Sequence, residues 1–207
     1  RSTIEYNVIR RACITKGDCG GLRTFGRDSH SETHLRELVV AGNLVIDTIG
    51  VTNGCHDDFR ALFGFGLYID HFSRDIHCWD NTVFGATASG ILYQDSTGTL
   101  QDNLVFGNAT GFQWGTQVDI HGDSEVWSMR RNVVGSATGA STLGIDPADL
   151  VDGVEGNTYL HPQSAQHIRA GGDHSLQSWQ ASRGFDQQGA ELVDAAVADA
   201  TVIVNEA

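Results

Sequence analysis

One order of apolar and polar positions recurs along the chain: an apolar residue, two residues, an asparagine, one residue, then a second apolar residue. It reads Ile4 to Ile9 around Asn7, Val40 to Val45 around Asn43, and Cys78 to Val83 around Asn81. It returns as Leu100 to Val105 around Asn103 and Met129 to Val134 around Asn132, with a weaker sixth copy, Val154 to Tyr159, around Asn157. The asparagines are 36, 38, 22, 29 and 25 residues apart. A second pattern lies between the copies, a glycine followed by strict alternation. It reads Gly21-Leu-Arg-Thr-Phe25, Gly66-Leu-Tyr-Ile-Asp70, Gly90-Ile-Leu-Tyr-Gln94 and Gly111-Phe-Gln-Trp-Gly115. Period two means strands, with the second and fourth residues facing a core and the third and fifth facing out.

Two short strands in a repeat of about 22 to 25 residues leave no room for a crossover helix between parallel strands. A solenoid of about six coils, with like strands stacked in parallel, accounts for the spacing. The asparagine suits a bend, where its amide reaches the next coil and its backbone tolerates left-handed angles. The wide gaps place insertions at about 26–37 and 50–64. The competing reading, an antiparallel β-sandwich, explains short strands but not six copies of one asparagine pattern. The fold class expected is all-β, a right-handed parallel β-helix over residues 1–165, with 166–207 as a capping segment of the same domain. Within that segment His174 to Arg183 has helical spacing, with Leu176, Trp179 and Ala181 on one side and Asp173 or Ser175 as cap. Residues 189–194 and the Val-Ile-Val stretch at 202–204 read as a final strand or two.

Composition narrows function. The chain has 207 residues, 40% of them hydrophobic, enough for one sizeable core. No run of about 18 apolar residues exists to span a membrane. A net charge of -13, with Lys16 the single lysine, disfavours nucleic acid and anionic membrane surfaces. The chain starts at Arg1 and runs straight into a patterned segment, which reads as a mature or excised piece of something longer. Cys13, Cys19, Cys55 and Cys78 form no zinc motif. Cys13–Cys19 and Cys55–Cys78 disulfides stand beside free buried thiols as open alternatives.

The repeats, the Gly66-to-Asp70 strand, and the Ser175-to-Gln180 tail with Gly184-Phe-Asp186 resemble pectin-lyase-like right-handed β-helix proteins, nearest to secreted β-helix glycoside hydrolases and their uncharacterised relatives. The resemblance covers most of the chain and implies a secreted or cell-surface protein acting on a polysaccharide or oligosaccharide. It speaks more to fold than to reaction. The polygalacturonase set is absent except for an Asp-Asp pair at 57–58, and the Asp-Pro-His-Glu stretch of alginate epimerases is missing. The N-terminal coils usual in the group are also missing, so another chain or further N-terminal coils would complete the solenoid.

Stacking the glycine strands builds an outward ladder: Arg23, Tyr68, Leu92, Gln113 in one row and Phe25, Asp70, Gln94, Gly115 in the next, followed by Gly26, His71, Asp95, Thr116. Asp70 is its central carboxylate. Asp95 on the adjacent coil pairs with it as nucleophile and acid, at a separation of about 5 to 7 Å that overlaps retaining hydrolysis. Asp18 is a third catalytic candidate, and His71 beside Asp70 suits acid–base work. Each aspartate also suits a plain turn. Arg23, Tyr68, Gln94 and Trp79 are the candidate substrate contacts; Trp114 reads as core. Asp119, His121 and Asp123 alternate, and a solvated loop outweighs a metal site there. No metal ligands are assigned and no cofactor is expected, with calcium the one cation left open. The leading function is a glycoside hydrolase-like carbohydrate-active protein with Asp70 central. A non-catalytic surface, adhesion or assembly module is the alternative. A polysaccharide lyase, for which only Arg23 is available as neutraliser, is the third.

Overall fold

The computed structural model describes residues 2–26, 35–53, 61–148 and 150–192. It is all-β, with each repeat adding one strand to each of three sheets. The first repeat supplies β1 (Ser2–Glu5), β2 (Val8–Arg10) and β3 (Cys19–Phe25). The second supplies β4 (Arg36–Ala41), β5 (Leu44–Ile46) and β6 (Gly64–Asp70), and the third β7 (Arg74–Trp79), β8 (Thr82–Phe84) and β9 (Ile91–Gln94). Then come β10 (Thr97–Gln101), β11 (Leu104–Phe106) and β12 (Val118–His121), followed by β13 (Glu125–Arg130), β14 (Val133–Gly135) and β15 (Leu143–Asp146). The sixth repeat is β16 (Val154–Glu155), β17 (Thr158–Leu160) and β18 (Ile168–Ala170). A closing segment carries β19 (Asp173–His174), α1 (Leu176–Arg183) and β20 (Ala190–Leu192). Sheet A runs β1-β4-β7-β10-β13-β16, sheet B runs β2-β5-β8-β11-β14-β17-β20, and sheet C runs β3-β6-β9-β12-β15-β18-β19. Every pairing is parallel except β18 with β19.

Each repeat thus has three strands, one more than the sequence pattern suggests. The reason lies in the asparagine motif itself. Its two apolar positions belong to different sheets, with the asparagine at the corner between them. Ile4, Val40, Cys78, Leu100, Met129 and Val154 stack in register inside sheet A. Ile9, Val45, Val83, Val105, Val134 and Tyr159 stack inside sheet B. Sheet C adds Leu22, Leu67, Ile91, Val118, Leu143 and Ile168 to the same core. From the second repeat on, these rows are buried and contiguous.

The asparagines form one hydrogen-bonded column. Asn7 donates through Nδ2 to Asn43 Oδ1 at 2.9 Å, Asn43 to Asn81 at 3.0 Å and Asn81 to Asn103 at 3.0 Å. Asn103 and Asn132 continue it at 2.9 Å each. Every backbone N–H of the column also donates to the next Oδ1. Asp186 ends it, taking the Asn157 N–H and Nδ2–H and the Tyr159 hydroxyl on its carboxylate. The left-handed residue at this corner is not the asparagine, as the sequence suggests, but the residue before it. Tyr6, Gly42, Asp80, Asp102, Arg131 and Gly156 all have φ between 53° and 66°. That leaves the asparagine extended enough to lay its amide along the column.

The long connections fall where the spacing places them, between β3 and β4 and between β5 and β6. Helix α1 starts on Ser175, whose side chain accepts the Ser178 N–H, and ends on left-handed Gly184. Leu176 and Trp179 are buried against the core, whereas Ala181 is exposed and not on that side. The strand expected at 189–194 is β20; the one at 202–204 lies outside the described residues. Cys13 and Cys19 form a disulfide. Cys78 is a buried free thiol, pushed up to about 12 by burial, and Cys55, His56 and the 57–58 pair lie outside the described residues. Among the described residues, no helix is long and apolar enough to cross a membrane.

Candidate functional site

The outward face of sheet C carries the site. Register places Arg23, Tyr68, Leu92, Asp119, Gly144 and Arg169 in one row across the strands. The next row is Phe25 and Asp70, then Gln94, His121 and Asp146. The first three rungs agree with the sequence ladder and the fourth does not. Gly111 to Gly115 is connection, and the strand is β12, six positions on from that pattern. Asp119 and His121 therefore stand where Gln113 and Gly115 were expected. Trp114, expected in the core, is 62% exposed and meets Phe112 edge-on at 5.7 Å.

These rows floor a cleft of about 530 Å³. Asp18, Arg23, Tyr68, Asp70, His71 and Gln94 all line it, six of the eight candidate residues. Asp95 reaches it through His71. Trp79 does not: it ends β7 on sheet A, on another side of the molecule. Part of the lining is an aromatic cluster that adjoins Tyr68 and Leu92. Phe63 packs on Phe112 at 5.0 Å, and Phe65 on Tyr68 at 4.6 Å. Phe63 arrives on the long connection before β6. Glycines flank Phe65 because the backbone there is pressed from inside; a Cβ on Gly66 would collide with Val83 and the Gly90 carbonyl.

Asp70 closes β6 and is 1% exposed. Its Oδ2 takes Arg23 Nε at 2.9 Å and Nη2 at 2.5 Å. Its Oδ1 takes the His71 backbone N–H at 2.8 Å and meets His71 Nδ1 at 2.5 Å. Asp70 thus both ends its strand and lines the cleft. Burial works against the charged form of Asp70, but the His71 and Arg23 bonds outweigh it and hold the carboxyl below the usual carboxylate range. Asp70 is thus a saturated anion, with neither a proton to give nor an exposed oxygen to attack with.

The groups it holds are the ones that face the cleft. His71 spans from Asp70 to Asp95, with Nε2 at 2.9 Å from Asp95 Oδ2 and 3.3 Å from Gln94 Nε2. A whole imidazole separates the two carboxylates, which corrects their direct pairing as nucleophile and acid. Asp95 also serves its turn, with φ of 48° and Oδ1 accepting the Asp123 N–H at 2.7 Å. Arg23 lies over the Tyr68 ring, 4.8 Å from its centroid, and donates to the Asp18 carbonyl at 2.8 Å. Tyr68 donates to Gln94 Oε1 at 3.0 Å. Burial, then the Asp70 and Asp18 charges, raise its phenol far above the ordinary range, so it stays neutral.

Asp119 and His121 were legible as alternating residues but not as members of this row. Asp119 takes a bond from the Ser89 hydroxyl at 3.2 Å and sits 3.8 Å from His121 Nδ1. Asp119 raises the His121 imidazole against the opposing effect of burial, with Asp95 and Asp146 adding to the rise. Asp123 lies beyond the strand and takes no part in the row. His77 pairs with Asp75 at 2.9 Å on sheet A, away from the cleft. Among the described residues, no three His, Cys, Asp or Glu side chains converge as a metal site. No family model, no curated protein and no solved structure matches this chain.

Proposed function

We propose that the chain is a right-handed parallel β-helix and that this cleft makes it an extracellular, carbohydrate-active, glycoside hydrolase-like protein. The observation that carries the reading is the convergence of acidic, imidazole and amide groups beside an aromatic cluster, in one cleft on the face of parallel strands. Sugars are held in this way, with apolar ring faces on aromatic side chains and hydroxyls on charged and amide groups. Asp70 remains central, as a positioning residue. It fixes the His71 ring, and the bond between His71 Nε2 and Asp95 holds one proton within reach of a leaving-group oxygen. Asp119, with one hydroxyl donor, is the carboxylate left to activate water or stabilise positive charge at the sugar carbon. Arg23 is engaged by Asp70 and Asp18, so among the described residues no uncommitted arginine or lysine beside the His71–Asp95 pair answers a uronate. That favours neutral glycans and weakens the lyase reading.

The test is reducing-end release from a panel of neutral oligosaccharides and uronates. Wild type should cleave a neutral substrate. His71→Gln and Asp95→Asn should each cut the rate at least 100-fold with unchanged circular dichroism. Absence of both cleavage and binding for every neutral glycan tested overturns the proposal.

A further inference from the structure

We infer that the end of the cleft at Asp119 is a subsite for one sugar hydroxyl, held between the Asp119 carboxylate and the Arg169 guanidinium over Gly144. The inference rests on the carbohydrate reading of the cleft and adds the contact that selects among carbohydrates.

Asp119, Gly144 and Arg169 are neighbours in register on β12, β15 and β18. Gly144 is the one member of its row without a side chain. Its φ lies outside the left-handed region, so the backbone does not call for glycine there. The surrounding side chains do. A Cβ on Gly144 would stand 2.9 Å from the Thr116 methyl, 3.0 Å from Asp119 Oδ1 and 3.3 Å from Arg169 Nη2. The bare Cα thus lets a carboxylate from one neighbouring strand and a guanidinium from the other lean over the same spot.

Neither group is spent on the other. Among the described residues the two form no ion pair, and Arg169 has a single hydrogen bond, from Nη2 to the Trp114 carbonyl at 3.1 Å. That bond turns the guanidinium back toward the connection leading into β12 and leaves most of its N–H donors unused. Asp119 commits only Oδ2, to the Ser89 hydroxyl at 3.2 Å. Its Oδ1 has His121 Nδ1 3.8 Å away, beyond hydrogen-bond reach. An acceptor oxygen and a set of N–H donors therefore face one gap, too wide for direct contact and narrow enough for a single oxygen to touch both.

The chemistry of the gap names its occupant. A hydroxyl donates to the carboxylate and accepts from the guanidinium at once, and both bonds are charge-assisted. A carboxylate there would satisfy Arg169 and be repelled by Asp119. An apolar group would leave both unpaired. The second lone pair of Oδ1 remains for a reacting water. Asp119 and Phe112 both line the cleft, and Phe112 meets Trp114, whose carbonyl holds Arg169. The subsite is therefore continuous with the aromatic cluster on which a sugar ring would lie.

The probes are neutral hexaoses of glucose, xylose, mannose and galactose, titrated by calorimetry, with a hexaose of galacturonate beside them. The tightest neutral binder should lose about 10-fold in affinity with Arg169→Met, as for one charge-assisted hydrogen bond. Gly144→Ala, which fills the gap, should weaken it as much. The Arg169 Nε–H resonance, assigned by its loss in Arg169→Met, should shift when that hexaose is added, a response that an arginine with a structural role alone would not give. If Arg169→Met or a folded Gly144→Ala binds the hexaose as tightly as wild type, or the resonance does not move, the inference is overturned while the carbohydrate reading stands. If galacturonate binds more tightly than every neutral hexaose and Arg169→Met removes that preference, Arg169 holds an anion and the inference is overturned. If no hexaose binds wild type, the carbohydrate reading falls and the subsite with it.

Discussion

At the corner between sheets A and B, six repeats lay the same amide on top of itself. On the outer face of sheet C the same six repeats lay down Arg23, Tyr68, Leu92, Asp119, Gly144 and Arg169. Both are columns of side chains crossing parallel strands about 4.8 Å apart. In the first, each interior member bonds one identical neighbour above and one below, and from Asn43 on every member is at most 2% exposed. In the second, bonds run diagonally between unlike groups: Arg23 to Asp70, Asp70 to His71, His71 to Asp95. Repetition satisfies every donor with one residue type, so it serves stability. Departure from repetition leaves groups whose remaining partners must come from outside, and that is where a ligand finds them.

Breaking the amide column should have the largest effect. Asn103→Ala removes acceptors for the Asn81 N–H and Nδ2–H, and donors to Cys78 O and Asn132 Oδ1, all buried. At about 1–3 kcal/mol for each buried group left unpaired, a loss of about 3–5 kcal/mol is expected. The chemical-denaturation midpoint measures it. Asn7→Ala, at an exposed member of the column, should cost less than about 1 kcal/mol, since water replaces the lost partners.

The outward column should break more gently. Asp70→Asn leaves Arg23 with a weaker acceptor, yet Arg23 is half-exposed and water reaches it. About 2–3 kcal/mol is expected, below the figure for a fully buried pair. The pH dependence follows from the same bonds. Asp70 titrates below its unfolded value near 4, so its contribution is complete above that pH and is lost as pH falls through the lowered folded value. His121 titrates above its unfolded value near 6.5, so its contribution is complete below that pH and fades as pH rises through the raised folded value. Unfolding curves from pH 3 to 8 should therefore lose the acid limb in Asp70→Asn and the alkaline one in His121→Gln. A wild-type acid limb retained in Asp70→Asn would show that another carboxylate sets it. His71→Gln and Asp95→Asn, the smallest changes, should alter stability by less than about 1 kcal/mol while abolishing activity. That difference separates the column that holds the fold from the one that faces the cleft.

The sequence makes the first column plain and the second only in part. A repeating apolar–Asn–apolar motif is visible because the physics at each corner is the same, and six copies reinforce one another. It does not reveal that the motif turns a corner, so the short β2-type strands stay hidden inside it. Asp70, His71 and Arg23 were found because three glycine-led strands align without gaps. The fourth rung was missed because Gly111 to Gly115 imitates the pattern in a connection, hiding Asp119 and His121. Trp79 was misplaced for want of a third sheet. The aromatic cluster was beyond reach, since Phe63 and Phe112 lie in connections with no periodicity to read.

The unequal asparagine spacing has a consequence for how the chain reaches this structure. Asn81 and Asn103 are 22 residues apart, Asn43 and Asn81 are 38 apart. Closing the shorter loop costs about 0.5 kcal/mol less chain entropy, and in a stack where each repeat touches only its neighbours, growth can start anywhere and spread. The third and fourth repeats are the cheapest nucleus. Pulse-labelled hydrogen exchange during refolding should protect the Asn81 and Leu104 amides before those of Asn43 and Leu44. The cleft, whose Arg23 and Asp70 come from the first two repeats, would then be assembled last, on a scaffold already in place.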